Sequence, residues 1–383
     1  MKYHRKRHSK PSQKSSFKRK WEEMNNEDGI TSHSMTSPND SVTDKKCQTT
    51  AVLQDHLEDN PWCAHGPTVL FERISSMEKN DKRTQFYACS AYRDRKDCSA
   101  HFKADDVHPS HISQEKKLKW KHVIMEDRNT IPHSRLNESV YYCRQCCQLV
   151  EISSDGLHKG HEISKIEEKS LEQPTLEGLL ESKSSAKKEA QYHFSVESLD
   201  VLVNEFILKQ KDISRILCIG APSIHEKILS LYTGKSDRNP KSILLDIDFR
   251  LRSFYNSAQR TSNTFCHYNM FNHFFFRVSE QNNYLDFLKD AKGEILIVTD
   301  PPFGGKCELI GRTLKCIQKD VINLSGDHDQ IHTMWIFPYY MERFIQQEIP
   351  SIKMSDYQVC YSSNGTSSYK DGLEIGKQGA RKV

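Results

Sequence analysis

The chain has no apolar stretch approaching the ~20 residues that a membrane-spanning helix needs, and its N-terminus lacks the hydrophobic segment of a secretory leader. These absences argue against a membrane protein or a secreted one and lead to the expectation of a soluble, intracellular chain with no membrane partner. Hydrophobic residues are scarce as well: they make up 36% of the 383 residues, and the mean hydropathy is −0.72. A core can therefore fill only part of the chain, and long solvated segments are expected. No internal repeat is present, and the net charge of +4 excludes little as a sum. Its distribution is more informative. Lys2, Arg5, Lys6, Arg7, Lys10, Lys14, Lys18, Arg19 and Lys20 crowd the first twenty residues, a pattern that reads as nuclear or nucleolar targeting, or as an arm attracted to nucleic acid. Twelve cysteines in a reducing compartment are expected to be metal ligands or small buried hydrophobes rather than disulfides.

Composition divides the chain. Residues 1–58, rich in Lys, Ser, Asn, Asp and Thr, are expected to be a disordered basic arm, with order beginning at Pro61. Short apolar pieces between Cys and His residues predict a small zinc-binding module and a following segment over 59–135. A second Cys/His unit is expected over 136–166, and a Glu/Lys/Ser-rich linker over 167–189. From 190 to 362 strand and helix signals alternate: a helix over Phe194 to Lys209, strands at 215–220, 242–247, 295–299 and 333–337, and helices at 224–231, 306–319 and 340–347. That alternation predicts an α/β domain, a parallel sheet with crossover helices. Residues 363–383 read as an irregular tail.

Cys63-x-His65 is followed by Cys89 and, after eight intervening residues, by Cys98. Four soft or borderline donors are what tetrahedral zinc requires, and two pairs separated by strand-forming residues let a small module close around an ion. His101 is a competing ligand ranked below Cys98, and unconnected buried cysteines are the alternative. Cys143-x2-Cys146 with His158-x2-His161 is a second set of four. Its histidine gap is shorter than that of groove-reading fingers, which favours a structural site. Cys147 is a weaker substitute for Cys146. Arg93, Arg95 and Lys96 interleave with Phe86, Tyr87 and Tyr92, as a single-stranded nucleic-acid surface would, or as a plain solvated face.

The apolar run Glu294 to Thr299 leads straight into Asp300-Pro301-Pro302-Phe303. In open α/β sheets ligands bind beyond the carboxyl ends of the strands. A turn there with a carboxylate, rigid carbonyls and a ring suits a flat base bearing an exocyclic amine. Hydrogen bonds from that amine to Asp300 and the Pro301 carbonyl would localise its lone pair while Phe303 stacks on the base, chemistry that fits N-methylation. The alternative is a Pro-Pro turn that merely ends a strand. Ile216-Leu-Cys-Ile-Gly-Ala-Pro222 has one glycine, Gly220, and so fails the three-glycine dinucleotide fingerprint. The next strand ends at Asp246, where doubly wound folds place an acid for ribose hydroxyls; Asp248 is the second choice. Asn269-Met270 follows a third strand and is placed to flank an adenine ring, or to serve as core and cap.

Together, Cys63-Ala-His-Gly-Pro67, Tyr87-Ala-Cys-Ser90, Leu245-Asp-Ile-Asp-Phe-Arg250, Cys266-His-Tyr-Asn-Met-Phe-Asn272 and Thr299-Asp-Pro-Pro-Phe-Gly-Gly305 resemble the zinc-finger rRNA adenine N6-methyltransferase family over about residues 61–361. The resemblance implies a Rossmann-like methyltransferase domain that uses S-adenosyl-L-methionine, preceded by a GRF-type finger at Cys63, His65, Cys89 and Cys98 and a Cys2His2 site at Cys143, Cys146, His158 and His161. It implies cofactor contacts from Gln191, Tyr192, His193, Phe194, Ser223, Asp246, Asn269, Met270 and Asp300, with Ser223 standing where relatives carry arginine. It also implies a large-subunit rRNA substrate, ribosome-assembly or helicase factors as partners, and location in the nucleus, the nucleolus and the cytoplasm. Members of the family continue into a Cys-rich C-terminal region that this sequence lacks, and the last strand of the sheet is expected at or beyond Val383. Rival expectations are a non-catalytic RNA-binding assembly factor, or an enzyme acting on DNA or on a protein glutamine amide.

Overall fold

Order begins earlier than composition indicates: Cys47–Val52, expected to belong to the disordered arm, forms strand β1. It pairs antiparallel with β2 (Val69–Met77), which pairs with β3 (Asn80–Ala88), which pairs with β4 (His101–Lys103). The register explains the ordering. Thr50 lies opposite Glu72 and Ala51 opposite Phe71, so a weakly apolar strand is held by backbone pairing to a strongly apolar one. The computed structural model describes residues 47–77, 80–92, 94–107, 141–145, 148–150, 158–167, 175, 180, 194–210, 212–232, 239–255, 264–302, 305–325, 331–361, 378–379 and 381–382. The basic run of the first twenty residues, Arg93, Cys146, Cys147, Gln191, Tyr192, His193 and Phe303 lie outside the described residues.

The second Cys/His unit is a three-stranded sheet in which β5 (Tyr141–Cys143) lies between β6 (Gln148–Val150) and β7 (Ile163–Lys165). The expected linker is anchored at two described points. Thr175 and Leu180 are buried, and the Thr175 N–H donates to the Glu226 carboxylate at 3.1 Å.

The remaining residues form the α/β domain. Ser195 caps helix α1 (Val196–Val201), its side chain accepting the Ser198 N–H, and the helix widens into a π segment, Leu202–Ile207. Then follow β8 (Ile213–Ile219), α2 (Pro222–Tyr232), β9 (Lys241–Asp246), β10 (Phe265–Asn269), β11 (Phe274–Phe275), α3 (Val278–Lys289), β12 (Glu294–Thr299), α4 (Cys307–Ser325), β13 (Ile331–Trp335), α5 (Glu342–Glu348), β14 (Lys353–Met354) and β15 (Arg381–Lys382). The sheet order is β11-β10-β9-β8-β12-β13-β15-β14. The five strands from β10 to β13 run parallel.

The continuous apolar character of these strands reflects burial on both faces. In β8, Leu217 and Ile219 join one core cluster while Ile216 and Cys218 join the other; in β12, Ile295 and Ile297 oppose Leu296 and Val298 in the same way. The first cluster takes in α3, α4 and α5 together with Leu57, Val69 and Phe71 of the N-terminal module. The second takes in α1 and α2 together with Tyr142, Leu149, Ile166 and Leu180. Both Cys/His modules therefore share a core with the α/β domain, one on each face.

The last strand departs from expectation. Arg381–Lys382 returns antiparallel between β13 and β14, with Lys382 opposite both Met334 and Lys353. The parallel strand β13 is consequently paired on both sides.

Candidate active site and metal clusters

The strand order reverses between β8 and β12, so the loops after these strands diverge there and leave a crevice at their carboxyl ends. Gly220 follows β8 with φ +63°, a left-handed conformation that favours glycine. A Cβ at this position would lie 2.5 Å from Met270 Cε and 3.2 Å from the Asp300 carbonyl oxygen. Gly220, Met270 and Asp300 therefore converge from three different strand ends. The loops are tied to their neighbours by backbone bonds, Gly220 N–H to the Leu245 carbonyl at 3.0 Å and Asp300 N–H to the Ile219 carbonyl at 3.2 Å.

The Asp300 carboxyl makes no hydrogen bond or ion pair among the described residues, and burial pushes its pKa well above the ordinary carboxylate range. Pro301 is buried and Pro302 half-buried. The Pro302 carbonyl accepts the Gly305 N–H at 2.7 Å and closes the loop. Gly305 is required there because a Cβ would come within 2.9 Å of the Phe271 ring.

Asp246 ends β9, and its Oδ1 accepts the Asp248 N–H at 2.8 Å. Asp248 is committed elsewhere: its carboxylate is buried and receives Arg250 Nε at 2.9 and 3.0 Å. Ser223 is buried at the start of α2. Phe194 is buried and stacks on Tyr361, ring centroids 5.3 Å apart.

Asn269 is placed differently from the expected adenine flank. Its carboxamide is completely buried and points into the N-terminal module, with Nδ2 donating to the His65 carbonyl at 2.7 Å and to Ser90 Oγ at 3.1 Å. It is the Met270 side chain that approaches the crevice loops, its Cε lying beside Gly220.

Two groups of side chains could hold metal ions. One donor atom from each of Cys63, His65, Cys89 and Cys98 lies within 4.8 Å of the others, and the same holds for Cys143, His158 and His161. His101, the competitor, instead stacks on Phe86 at 4.6 Å. Phe86 also stacks on Phe71 and Tyr92 packs on His65. Two of the rings expected on a nucleic-acid surface are thus used in packing, while Arg95 and Lys96 are exposed.

Contacts that the sequence did not indicate lock the N-terminal module to the acceptor loop. Lys306 Nζ donates to the Thr49 carbonyl at 2.8 Å, and Arg312 Nε donates to the Gln54 carbonyl at 3.1 Å. Both side chains satisfy backbone groups of a partner more than 250 residues away, a pairing that leaves no local signature. The packing of Trp62 edge-on against Phe274, 5.1 Å between centroids, is equally remote.

Comparison with known proteins bears on this geometry. Residues 185–371 match the family described as "Probable N6-adenine methyltransferase". The chain is 36% identical over 346 residues to the Homo sapiens protein named rRNA N(6)-adenosine-methyltransferase ZCCHC4, covering 83% of this chain and 62% of that protein. The Bos taurus and Mus musculus proteins of the same name are each 34% identical, again over 83% of this chain and 62% of their own lengths. The chain thus spans less than two thirds of these relatives.

Proposed function

We propose that the chain is an N6-adenine methyltransferase that methylates N6 of an adenosine in large-subunit rRNA, using S-adenosyl-L-methionine; the match of residues 185–371 to that family and the similarity to the rRNA N(6)-adenosine-methyltransferases support the reading. The observation that carries the reading is the convergence of Gly220, Met270 and Asp300, whose carboxyl has no partner among the described residues, at the point where the strand order reverses. The order of strands around β8 supports the Rossmann-like description of the domain.

The residues present fit the cofactor. Gly220 lets Met270 and the Asp300 carbonyl come closer to the chain than a Cβ would allow, and Asp246 stands at the end of the second strand, where ribose hydroxyls are accepted in doubly wound folds. Gly220, Ser223, Asp246, Met270 and the main chain of Asn269 would hold the group, with Phe194 and the neighbouring Gln191, Tyr192 and His193 as further contacts. When bound, it supplies an electrophilic methyl on a sulfonium, a good leaving group. The chain's own task is positioning. The Asp300 carboxylate and the Pro301 carbonyl accept the two amine N–H groups, which draws the nitrogen lone pair out of conjugation and aims it at the methyl. Such oriented acceptors act without reorganising and stabilise the positive charge that develops on nitrogen. Phe303 supplies the stacking face. The adenosine must leave its stack to reach this loop, a step whose cost is lowest in single-stranded or looped RNA.

Zinc ions are proposed at Cys63, His65, Cys89 and Cys98 and at Cys143, Cys146, His158 and His161. The three-thiol, one-imidazole set of the first cluster matches the donors of structural zinc sites. The basic arm and these modules are proposed to grip rRNA around the target, and a chain of this kind is proposed to work in the nucleolus and nucleus and in the cytoplasm.

The primary test is transfer of labelled methyl from S-adenosyl-L-methionine by the purified chain to large-subunit rRNA lacking prior modification, followed by nucleoside analysis. N6-methyladenosine is the expected product; label on protein or DNA instead would overturn the reading. A local test is Gly220→Ala. The methyl group meets Met270 and Asp300 in a left-handed backbone, so a loss of about 1–2 kcal/mol in stability and weaker cofactor binding are expected by thermal unfolding and calorimetry.

A further inference from the structure

The turn that carries Met270 is held by the first metal cluster rather than by the sheet alone. Asn269 sends both donors of its buried carboxamide into that cluster's loops, to the carbonyl of His65 and to the hydroxyl of Ser90. His65 is itself one of the four candidate ligands, and Ser90 directly follows another, Cys89. The same carboxamide turns back on its own chain, Oδ1 accepting the Phe271 N–H at 3.0 Å. Three residues on, Asn272 Nδ2 donates to the Pro67 carbonyl at 2.9 Å and to the His65 carbonyl at 3.4 Å. Close approach of the two parts is built in: Gly66 has φ +95°, and a Cβ there would lie 2.6 Å from the Phe274 ring. On the other side of this joint, Met270 reaches the Gly220 cradle, and its carbonyl is fixed by the Thr313 hydroxyl at 2.6 Å.

Resting on the methyltransferase reading above, we infer that the first Cys/His cluster is a structural wall of the cofactor pocket, and that Asn269 is the positioning residue through which its metal occupancy sets affinity for S-adenosylmethionine. The physical link is short. Tetrahedral ligation fixes the loop from Cys63 to His65 and orients the His65 carbonyl; that carbonyl holds the Asn269 carboxamide; the carboxamide sets the conformation of the Asn269–Met270 turn, which lines the cradle. Without the ion the loop gains conformational freedom, and the turn must be ordered at the expense of cofactor binding. The coupling is reciprocal, so cofactor must tighten the ion by the same factor that the ion tightens the cofactor.

The test is calorimetric binding of S-adenosylmethionine to the full chain, to Asn269→Ala and to chain depleted of first-cluster zinc, combined with chelator competition for zinc with and without S-adenosylmethionine. Dissociation constants raised about tenfold in Asn269→Ala and in the depleted chain are expected. The wild-type zinc affinity should rise by a matching factor when S-adenosylmethionine is added, and this rise should vanish in Asn269→Ala. A purely structural role would lower the melting temperature and move none of these couplings. If Asn269→Ala does not fold, Ser90→Ala removes a single bond of the joint and should show a smaller shift in the same direction. Wild-type chain that binds no S-adenosylmethionine would overturn the methyltransferase reading and this inference with it. Binding by wild type that is unchanged in the variants and in the depleted chain overturns this inference alone.

Discussion

Replacing Asp300 with alanine should reduce methyl transfer about 10²- to 10³-fold, the usual cost of deleting one oriented group that meets developing charge, while leaving RNA affinity within about twofold. The carboxyl has no partner among the described residues, so the substitution removes no described bond of the fold. Its ionisation is in fact costly to the fold. Burial raises its folded-state pKa well above the unfolded value of about 3.9. The folded protein therefore holds this proton more tightly than the unfolded chain does, and stability is lost as pH rises from the unfolded pKa through the folded one. Asp300→Asn, which cannot ionise, should unfold at a higher temperature than wild type at neutral pH and at a similar one below pH 4. Activity runs the other way: the ionised form is the better acceptor, so wild-type kcat should climb with pH through the folded pKa. Asp300→Asn keeps one acceptor oxygen and should retain a pH-independent fraction of the rate. Melting curves and rate profiles across pH, measured on the same three proteins, check each sign. Full activity in Asp300→Ala would falsify the assignment of the turn as the acceptor site.

The second large effect concerns the first metal cluster. Cys89→Ser should remove one zinc equivalent, unfold the sheet β1–β4 and lower the melting temperature of the whole chain. Metal binding supplies about 10–16 kcal/mol of folding free energy in small zinc domains, comparable to the entire stability of a typical domain, about 5–15 kcal/mol. The consequence spreads because Leu57, Val69 and Phe71 share a core with Leu217, Ile297 and the helices α3 to α5, and because Lys306 and Arg312 lose their carbonyl partners when β1 and the loop after it come away. Elemental analysis should find one zinc fewer than in wild type, and proteolysis should open within residues 47–107. Wild-type zinc content and an unchanged melting temperature in Cys89→Ser would remove the cluster from its structural role. The equivalent change at Cys143 should act on the opposite face, through Tyr142 and Leu149 and the helices α1 and α2.

The sequence by itself determined the α/β order, the place of Asp-Pro-Pro directly after a buried strand, the first donor cluster and three members of the second. All of these depend on local periodicity or on side-chain chemistry at short spacing: continuous apolar runs bounded by turn residues, Asp-Pro-Pro after a buried strand, and Cys and His in pairs. The preference for Asp246 over Asp248 rested on local order along the strand; Asp246 accepts the Asp248 N–H, and the Asp248 carboxylate is drawn to Arg250. Only the tertiary structure decided what depends on distant partners. Cys47–Val52 looks like solvated arm because its pairing residues on β2 lie beyond an intervening loop. Arg381–Lys382 has no apolar run of its own and becomes a strand by filling the space between β13 and β14. Asn269 reads as an adenine contact from its position after a strand, and its side chain turns the other way because two hydrogen-bond acceptors in the zinc module, more than 170 residues away in sequence, satisfy a buried amide that the crevice would leave half-paired.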